Sequence, residues 1–450
     1  MAANWPGHLS YDSVIQLLEG RTGDYSGWHP PVMSWLLGLA DAVGPGVALF
    51  VLGNATLFFA TLASLPWLPA KPSWLAIPAA LACAALPQIF LYQAIVWKDV
   101  LFANAAVAGF LFLAHIAVRW RHRGARCLLL GTSLLCLSLA ALARQNGIVL
   151  VPFAGLALGW IAWRRGASGA AAGIAGTLFA LAIIAGWLSG SVALATRIVG
   201  DRGQAKQVRL LEFYDLNGAL AADAALRLPD LQRRDPALLA IMRSDGRNLY
   251  SPARSDFLAR SARLQAALAG APDDILHRSW MDYLRRRPLL YLENRAEEFR
   301  WVFLTPDMSL CVPYVVGLRG PPQVLNALGM KERVTARDKT IKAYAAALVG
   351  TPVFSHLTFL LLTLAELAFL FWRRRAADIA LIGLLMGALA FASSFFFVSI
   401  ACDYRYLYLL DLAALVALFY IALDPQVGDS RCPRCTGPGR CFSRALWQSV

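Results

Sequence analysis

The chain has 450 residues, of which 58% are hydrophobic and only 16% charged, with a mean hydropathy of +0.53. Soluble domains are about 45–50% apolar and about 25% charged, so the composition does not fit a purely soluble enzyme. A formal charge of +14 would suggest nucleic acid for a soluble protein. In a membrane protein it marks arginine-rich cytoplasmic loops instead, so no nucleic-acid partner is expected. Cysteines at 83, 127, 136, 311, 402, 432, 435 and 441 form no disulfide framework by spacing. The expected fold class is an all-α polytopic membrane protein with a sizeable water-facing part.

Apolar runs long enough to span the bilayer are predicted, in order, near Gly46–Pro66, Trp74–Val96, Val100–Val118, Cys127–Ala143, Gly147–Trp163, Ser168–Gly190, Pro352–Trp372, Asp378–Ile400 and Tyr404–Leu423. With all nine crossing, Lys71, the Arg119–Arg126 loop, Arg164–Arg165, Arg373–Arg375 and the tail arginines fall on one side. The positive-inside rule makes that side cytoplasmic. The N-terminus, Trp97–Asp99, Arg144–Asn146, residues 191–350 and Cys402–Asp403 then lie outside. The predicted units are an outer first loop (1–31), six spans (32–190), a mainly helical extracytoplasmic domain (191–350), three spans (351–423) and a disordered cytoplasmic tail (424–450). No apolar stretch in 1–31 could span the bilayer, so either the first helix translocates a short N-terminal tail or, as the favoured expectation, a further helix precedes Met1.

In the long outer segment, Trp280, Tyr283, Leu289, Tyr291, Phe299, Trp301 and Phe303 alternate with charges at helical spacing. Leu220–Leu231 and Asp256–Leu268 also read as amphipathic helices.

Polar residues gather at the outer rim in four groups. The first is His8, Asp12, Gln16, Glu19, Asp24 and His29, with Ser10 or Asp12 capping an interfacial helix. Asp12, Gln16 and Glu19 fall at i, i+4 and i+7, and the plain reading of that face is a solvated one. The second is Tyr92, Gln93, Trp97, Lys98 and Asp99, where a Lys-Asp pair can simply neutralise itself. The third is Arg144-Gln145-Asn146, and the fourth is Asp403-Tyr404-Arg405-Tyr406, whose tyrosines fit an aromatic belt. Arg144 and Arg405 stand on the wrong side for orientation signals. Together the rim offers carboxylates able to take a proton and cations able to grip a phosphate.

Tyr11-Asp12-Ser13, Thr22-Gly23-Asp24-Tyr25 and His29-Pro30-Pro31-Val32 with Trp35 resemble the first outer loop of GT-C glycosyltransferases. The likeness is to the protein O-mannosyltransferase and aminoarabinose transferase branch, and most to related bacterial membrane proteins with Tyr-Asp-Ser and His-Pro-Pro signatures. Ser13 replaces the second acid of that branch and His29 its lysine. Trp97-Lys98-Asp99 looks like the second outer acidic site, Leu139–Gly147 like the Leu-Thr-Lys turn, and Asp403–Leu407 like the late Arg-Tyr motif. The resemblance covers roughly residues 4–190 and 350–423. It implies a GT-C-like bundle that transfers a sugar from a polyprenyl-phosphate donor to a glycan, lipid or protein acceptor, at the outer side of a bacterial inner membrane. Asp12 would be the catalytic base and Asp99 its partner, while Lys98, Arg144, Arg405, Tyr404 and His29 would bind substrate. With Ser13 in place of a second acid, a divalent metal is unsupported, and no cofactor is predicted.

A transporter or flippase is the rival reading, resting on Glu366 and Asp411 inside spans. An assembly or scaffold role is the third. In the tail, Cys432 and Cys435 have zinc-like spacing without a fourth ligand.

Overall fold

The computed structural model describes residues 2–69, 71–196, 198 and 203–426. All regular structure among them is helical, with only isolated bridges between extended residues. Eight helices are long and apolar enough to cross a membrane: Ala48–Trp67, Lys98–Val118, Arg123–Ala143, Gln145–Arg164, Gly169–Ala195, His356–Arg373, Asp378–Val398 and Tyr404–Leu423. The chain is an all-α polytopic membrane protein. The tail cysteines Cys432, Cys435 and Cys441 lie outside the described residues.

The remaining predicted span is broken. Ala76–Ala85 and Pro87–Ala94 meet at a 72° bend, because Pro87 supplies no N–H and forces Leu86 into an extended conformation (ψ 143°). Its two ends nevertheless reach opposite faces of the bundle. The Ser73 N–H donates to Leu423 O at 2.7 Å, at the end of the last span, and the His8 N–H donates to Ala94 O at 2.9 Å, beside the N-terminal segment. The segment therefore traverses the bundle. Other boundaries also move. The two spans predicted as short are 21 and 20 residues long, and the sixth continues to Ala195.

Lys98–Val118 is the axial helix. Apolar on every side, it is 94% buried, against 17% for Gly169–Ala195 at the periphery. The faces differ chemically. One holds Arg119, Arg164, Arg165 and the Arg373–Arg375 run, where Arg373 pairs with Asp378 at 2.5 Å. The other holds Lys98, Asp99, Arg144 and Arg405 at helix ends.

Two N-terminal helices precede the first span. Tyr11–Thr22 begins with a reciprocal cap between Ser10 and Ser13 and ends at Gly23 (φ +81°). Pro31–Val43, an apolar helix not foreseen, opens with proline at its first position. They cross at Gly20 and Gly38, where a Cβ on Gly20 would sit 2.2 Å from Ser34 O. The expected solvated face is corrected by this packing. Gln16 and Glu19 are buried, and Glu19 accepts from Ser34 Oγ at 2.7 Å.

Residues 203–304 build a second core of Phe213, Leu220, Leu231, Met242, Leu264 and Ile275. The helix expected over Leu220–Leu231 is divided: one helix ends at Ala222 and another starts at Pro229. Asp256–Leu268 divides at Ser261, whose side chain caps Ala262–Gly270. Arg295, fully buried, joins this unit to the bundle. It pairs with Asp215 and, at 2.7 Å, with Glu298, and donates to Ser399 O at 2.8 Å. A Cys311–Cys402 disulfide ties the segment that follows this unit to the turn before the last span, a pairing that spacing gave no reason to expect.

Gly20→Ala is expected to lower stability by about 1–3 kcal/mol through overpacking. Gly131→Ala, with nothing within 4 Å of the added methyl, should be neutral or slightly stabilising. Thermal unfolding in detergent compares the two, and equal melting temperatures would refute the close helix crossing.

Candidate active site

Six of the seven predicted site residues meet on one face, delivered by four separate segments. The capped turn at Ser10 presents Asp12, and Pro30-Pro31 fixes His29 just ahead of the next helix. The extended Trp97 (φ −121°, ψ 138°) turns the chain into the axial helix and sets Lys98 and Asp99 at its start. Arg144 is extended (φ −138°, ψ 138°) between two spans, and Arg405 precedes the last one.

Arg405 is the hub. Its Nη2 lies 2.5 Å from Asp12 Oδ2 and 3.1 Å from Asp403 Oδ2, and its Nε is 3.9 Å from Asp99 Oδ2. The guanidinium also stands 4.9 Å over the Trp97 ring, a cation–π arrangement. Trp97 is itself held by donation from Nε1 to Ser10 Oγ at 3.1 Å. Arg144 pairs with Asp99 and packs over Phe395 and Tyr406 at 5.2 and 5.4 Å. Its Nε has no hydrogen-bond partner among the described residues.

Lys98 Nζ donates to His29 Nδ1 at 3.2 Å. With Nδ1 accepting, the proton of a neutral ring sits on Nε2, which lies 3.9 Å from Asp12 Oδ1. Burial, and then the charge of Lys98, push the imidazole down to about 3 against the pull of Asp12. For Asp12, burial opposes the charged form, but the charge and hydrogen bond of Arg405 outweigh it and hold the carboxyl down at about 2. Asp12 is the solvent-facing member, 30% exposed, whereas Asp99 is 2% exposed beneath both arginines. Asp99 pairs with Arg144 and lies 3.9 Å from Arg405, beneath the solvent-facing Asp12.

Tyr404 does not join the cluster. Its hydroxyl donates to Asp411 at 2.7 Å, and its ring stacks on His356 at 3.9 Å, all buried between the last spans. The succession Tyr404-Arg405-Tyr406 turns through a short 3-10 helix, so Tyr406 and not Tyr404 flanks the arginines.

Two contributors were not foreseen as site residues. Arg254, from a loop of the 203–304 unit, donates to Asp403 at 2.9 Å and to Leu310 O at 2.6 Å. Asp403 thus bridges Arg254 and Arg405. Gln207 of the same unit donates to Trp28 O and accepts from Gln145 at 2.8 Å, covering the segments that carry His29 and Arg144. Arg254 is one of many arginines in its segment, so no local signal marks it. Asp403 was visible only as a neighbour of Arg405.

No family model matches the chain, and neither does any curated protein or solved structure.

The His29 arrangement sets a pH dependence. Because its folded pKa is depressed, the unfolded chain takes up more protons below about 6.5, and stability falls as pH drops from there toward 3. At pH 5 the loss from this group is expected to be on the order of 1–2 kcal/mol. A His29→Asn protein should lose less stability than wild type between pH 7 and 5 in melting experiments, and identical pH profiles would contradict the buried neutral ring.

Proposed function

We propose that the chain is a GT-C-type membrane glycosyltransferase that transfers a sugar from a polyprenyl-phosphate donor to an extracytoplasmic glycan, lipid or protein acceptor. The observation that carries this reading is the Asp12–Arg405 pair, set among Lys98, His29, Asp99 and Arg144 and open to solvent through Asp12. A carboxylate that takes a proton must stand beside cations that receive a phosphate leaving group, and this cluster supplies both.

The pairing also supports an order of events. On Arg405, Asp12 is a poor base, held at about 2. A donor phosphate competes for the guanidinium, which grips phosphate bidentately. Once Arg405 turns to the phosphate, Asp12 loses its strongest counter-charge and its proton affinity rises. Asp12 then accepts the proton of the acceptor hydroxyl as the oxygen attacks the anomeric carbon in line. The bond from that carbon to the phosphate oxygen breaks with inversion, and the lipid phosphate departs as an anion against Arg405, Arg144 and Lys98. His29 directs its Nε2 proton toward Asp12 and steadies it.

The extracytoplasmic side is supported by two features. The Cys311–Cys402 disulfide lies one residue from Asp403, and such bonds persist in oxidising compartments. The arginine runs crowd the opposite face. Multi-pass insertion in a bacterial inner membrane, with the 203–304 unit outside, fits both.

One observation favours a transporter instead. Glu366 is buried within His356–Arg373, and neither carboxyl oxygen has a hydrogen-bond partner among the described residues. Asp411 offers no such support, since His356 and Tyr404 occupy it.

Asp12→Asn is expected to lower sugar transfer to isolated membranes at least 100-fold while leaving the amount of inserted protein unchanged. Glu366→Gln should retain transfer. If Asp12→Asn were silent and Glu366→Gln inactive in substrate flux, the transporter reading would replace this one. Sidedness is checked separately: a cysteine placed at exposed Arg286 should react with a membrane-impermeant maleimide in intact cells. Labelling only after permeabilisation would reverse the topology.

A further inference from the structure

A second feature lies on the same face, away from the charged cluster. A cavity of about 290 Å³ is lined by Pro6, Leu9, Val47, Leu318, Lys331 and Arg333 among others. Its volume is near the lower end of the range for small-molecule sites, about 300–1,000 Å³. Val47 immediately precedes the first membrane span, which begins at Ala48, so the cavity stands at the level where that span leaves the bilayer. The floor is apolar and the rim cationic.

The floor is firmly built. Leu9 N–H donates to Gly317 O at 2.9 Å, Arg319 N–H to Leu9 O at 3.1 Å, and Leu318 and Arg333 exchange backbone hydrogen bonds at 2.9 and 3.1 Å. These bonds fix the backbone of Arg333 against Leu318 in an isolated antiparallel bridge, with Lys331 two residues before it at the rim of the cavity. Neither side chain forms an ion pair or hydrogen bond among the described residues, although both are exposed. Of the nearby acids, exposed Glu332 lies between the two cations in sequence and forms no ion pair or hydrogen bond among the described residues, and the others are engaged. Asp41 is held by Arg21 at 2.7 Å and by the Gly46 N–H at 2.7 Å, and Asp338 caps its own helix through Thr335. Exposed apolar side chains adjoin the lining in sequence: Trp5 (46% exposed), Val43 (81%) and Val334 (41%). A tryptophan beside an apolar floor under two exposed cations that form no ion pair among the described residues is the pattern of a membrane–water interface.

We propose that this cavity binds one anionic phospholipid of the surrounding bilayer. The headgroup phosphate sits between Lys331 and Arg333, and the upper part of one acyl chain lies on Leu9, Val47 and Leu318. Bound there, the lipid braces the segment Pro6–Leu9, which leads directly into the cap of the helix carrying Asp12. The site is independent of what the charged cluster catalyses.

The test uses the full-length chain purified in detergent and mixed with phosphatidylglycerol or phosphatidylcholine, with bound lipid counted by native mass spectrometry. Wild type should retain one phosphatidylglycerol in preference to phosphatidylcholine. Removing each cation should weaken that retention about fivefold, so Lys331→Ala with Arg333→Ala should cost roughly 25-fold and leave phosphatidylcholine retention unchanged. Both positions are exposed, and unchanged melting without lipid will verify folding. Val47→Phe, which fills the floor, should reduce retention with the cations intact. Equal retention of the two lipids by wild type would overturn the proposal. So would a preference that survives in the double variant, or full displacement of phosphatidylglycerol by millimolar inorganic phosphate, which would indicate a simple anion site.

Discussion

Arg405 carries a positive charge that the bundle has nearly enclosed, at 12% exposure, and a buried guanidinium is tolerated only where carboxylates and hydrogen bonds replace its water. That demand draws together parts of the chain almost 400 residues apart. Asp12 comes from the N-terminal helix, Asp99 from the axial span, and Asp403 from the turn before the last span. Removing one partner of such a pair typically costs about 3–5 kcal/mol, because the remaining charge is stranded. The same cluster therefore closes the bundle at one end and collects the groups from which chemistry can be built. Its near balance of charge leaves it poised for exchange, since an incoming anion can take an arginine only by releasing a carboxylate.

The 203–304 unit acts on this cluster through a few specific links. Arg254 reaches Asp403, Gln207 reaches Trp28 and Gln145, and Arg295 anchors the unit to Ser399. The Cys311–Cys402 bond secures the strand of chain between Ser399 and Asp403 from the other side. The Arg254, Arg295 and disulfide ties converge on the turn that presents Arg405, while Gln207 holds the segments that carry His29 and Arg144. An inserted unit with its own core can thus set how open the cluster is without contributing many residues to it.

Beneath the site, the axial helix Lys98–Val118 and the broken segment 76–94 determine where the charged ends emerge. The helix is held mainly by apolar packing, with Asn104 hydrogen-bonded to Gln93 and Asn54, so its polar start, Lys98-Asp99, is left to the site. The bend at Pro87 lets a chain that has crossed the bundle turn and present Tyr92 and Trp97 beneath Arg405, with Tyr92 and Trp97 in edge contact at 5.5 Å.

Hydropathy, charge placement and helix signals were local properties, and they were legible without coordinates: the polytopic class, eight of the spans to within a few residues, the helical character of the long insertion, and the two faces. Asp12, His29, Lys98, Asp99, Arg144 and Arg405 stood out because polar groups at the ends of apolar runs are individually costly and few. Their partners were not legible. Which carboxylate each arginine takes, whether Tyr404 or Tyr406 turns to the cluster, and that Arg254 arrives from another unit depend on helix rotation and on contacts across hundreds of residues. Cys311 and Cys402 likewise gave no spacing signal, and the burial of Gln16 and Glu19 followed from a glycine crossing that periodicity does not encode. Composition and periodicity determined which segments enter the bilayer, because that partition is a sum over each segment alone. Only the tertiary structure decided the ion pairs, because the cost of burying a charge depends on what the rest of the chain brings within about 4 Å of it.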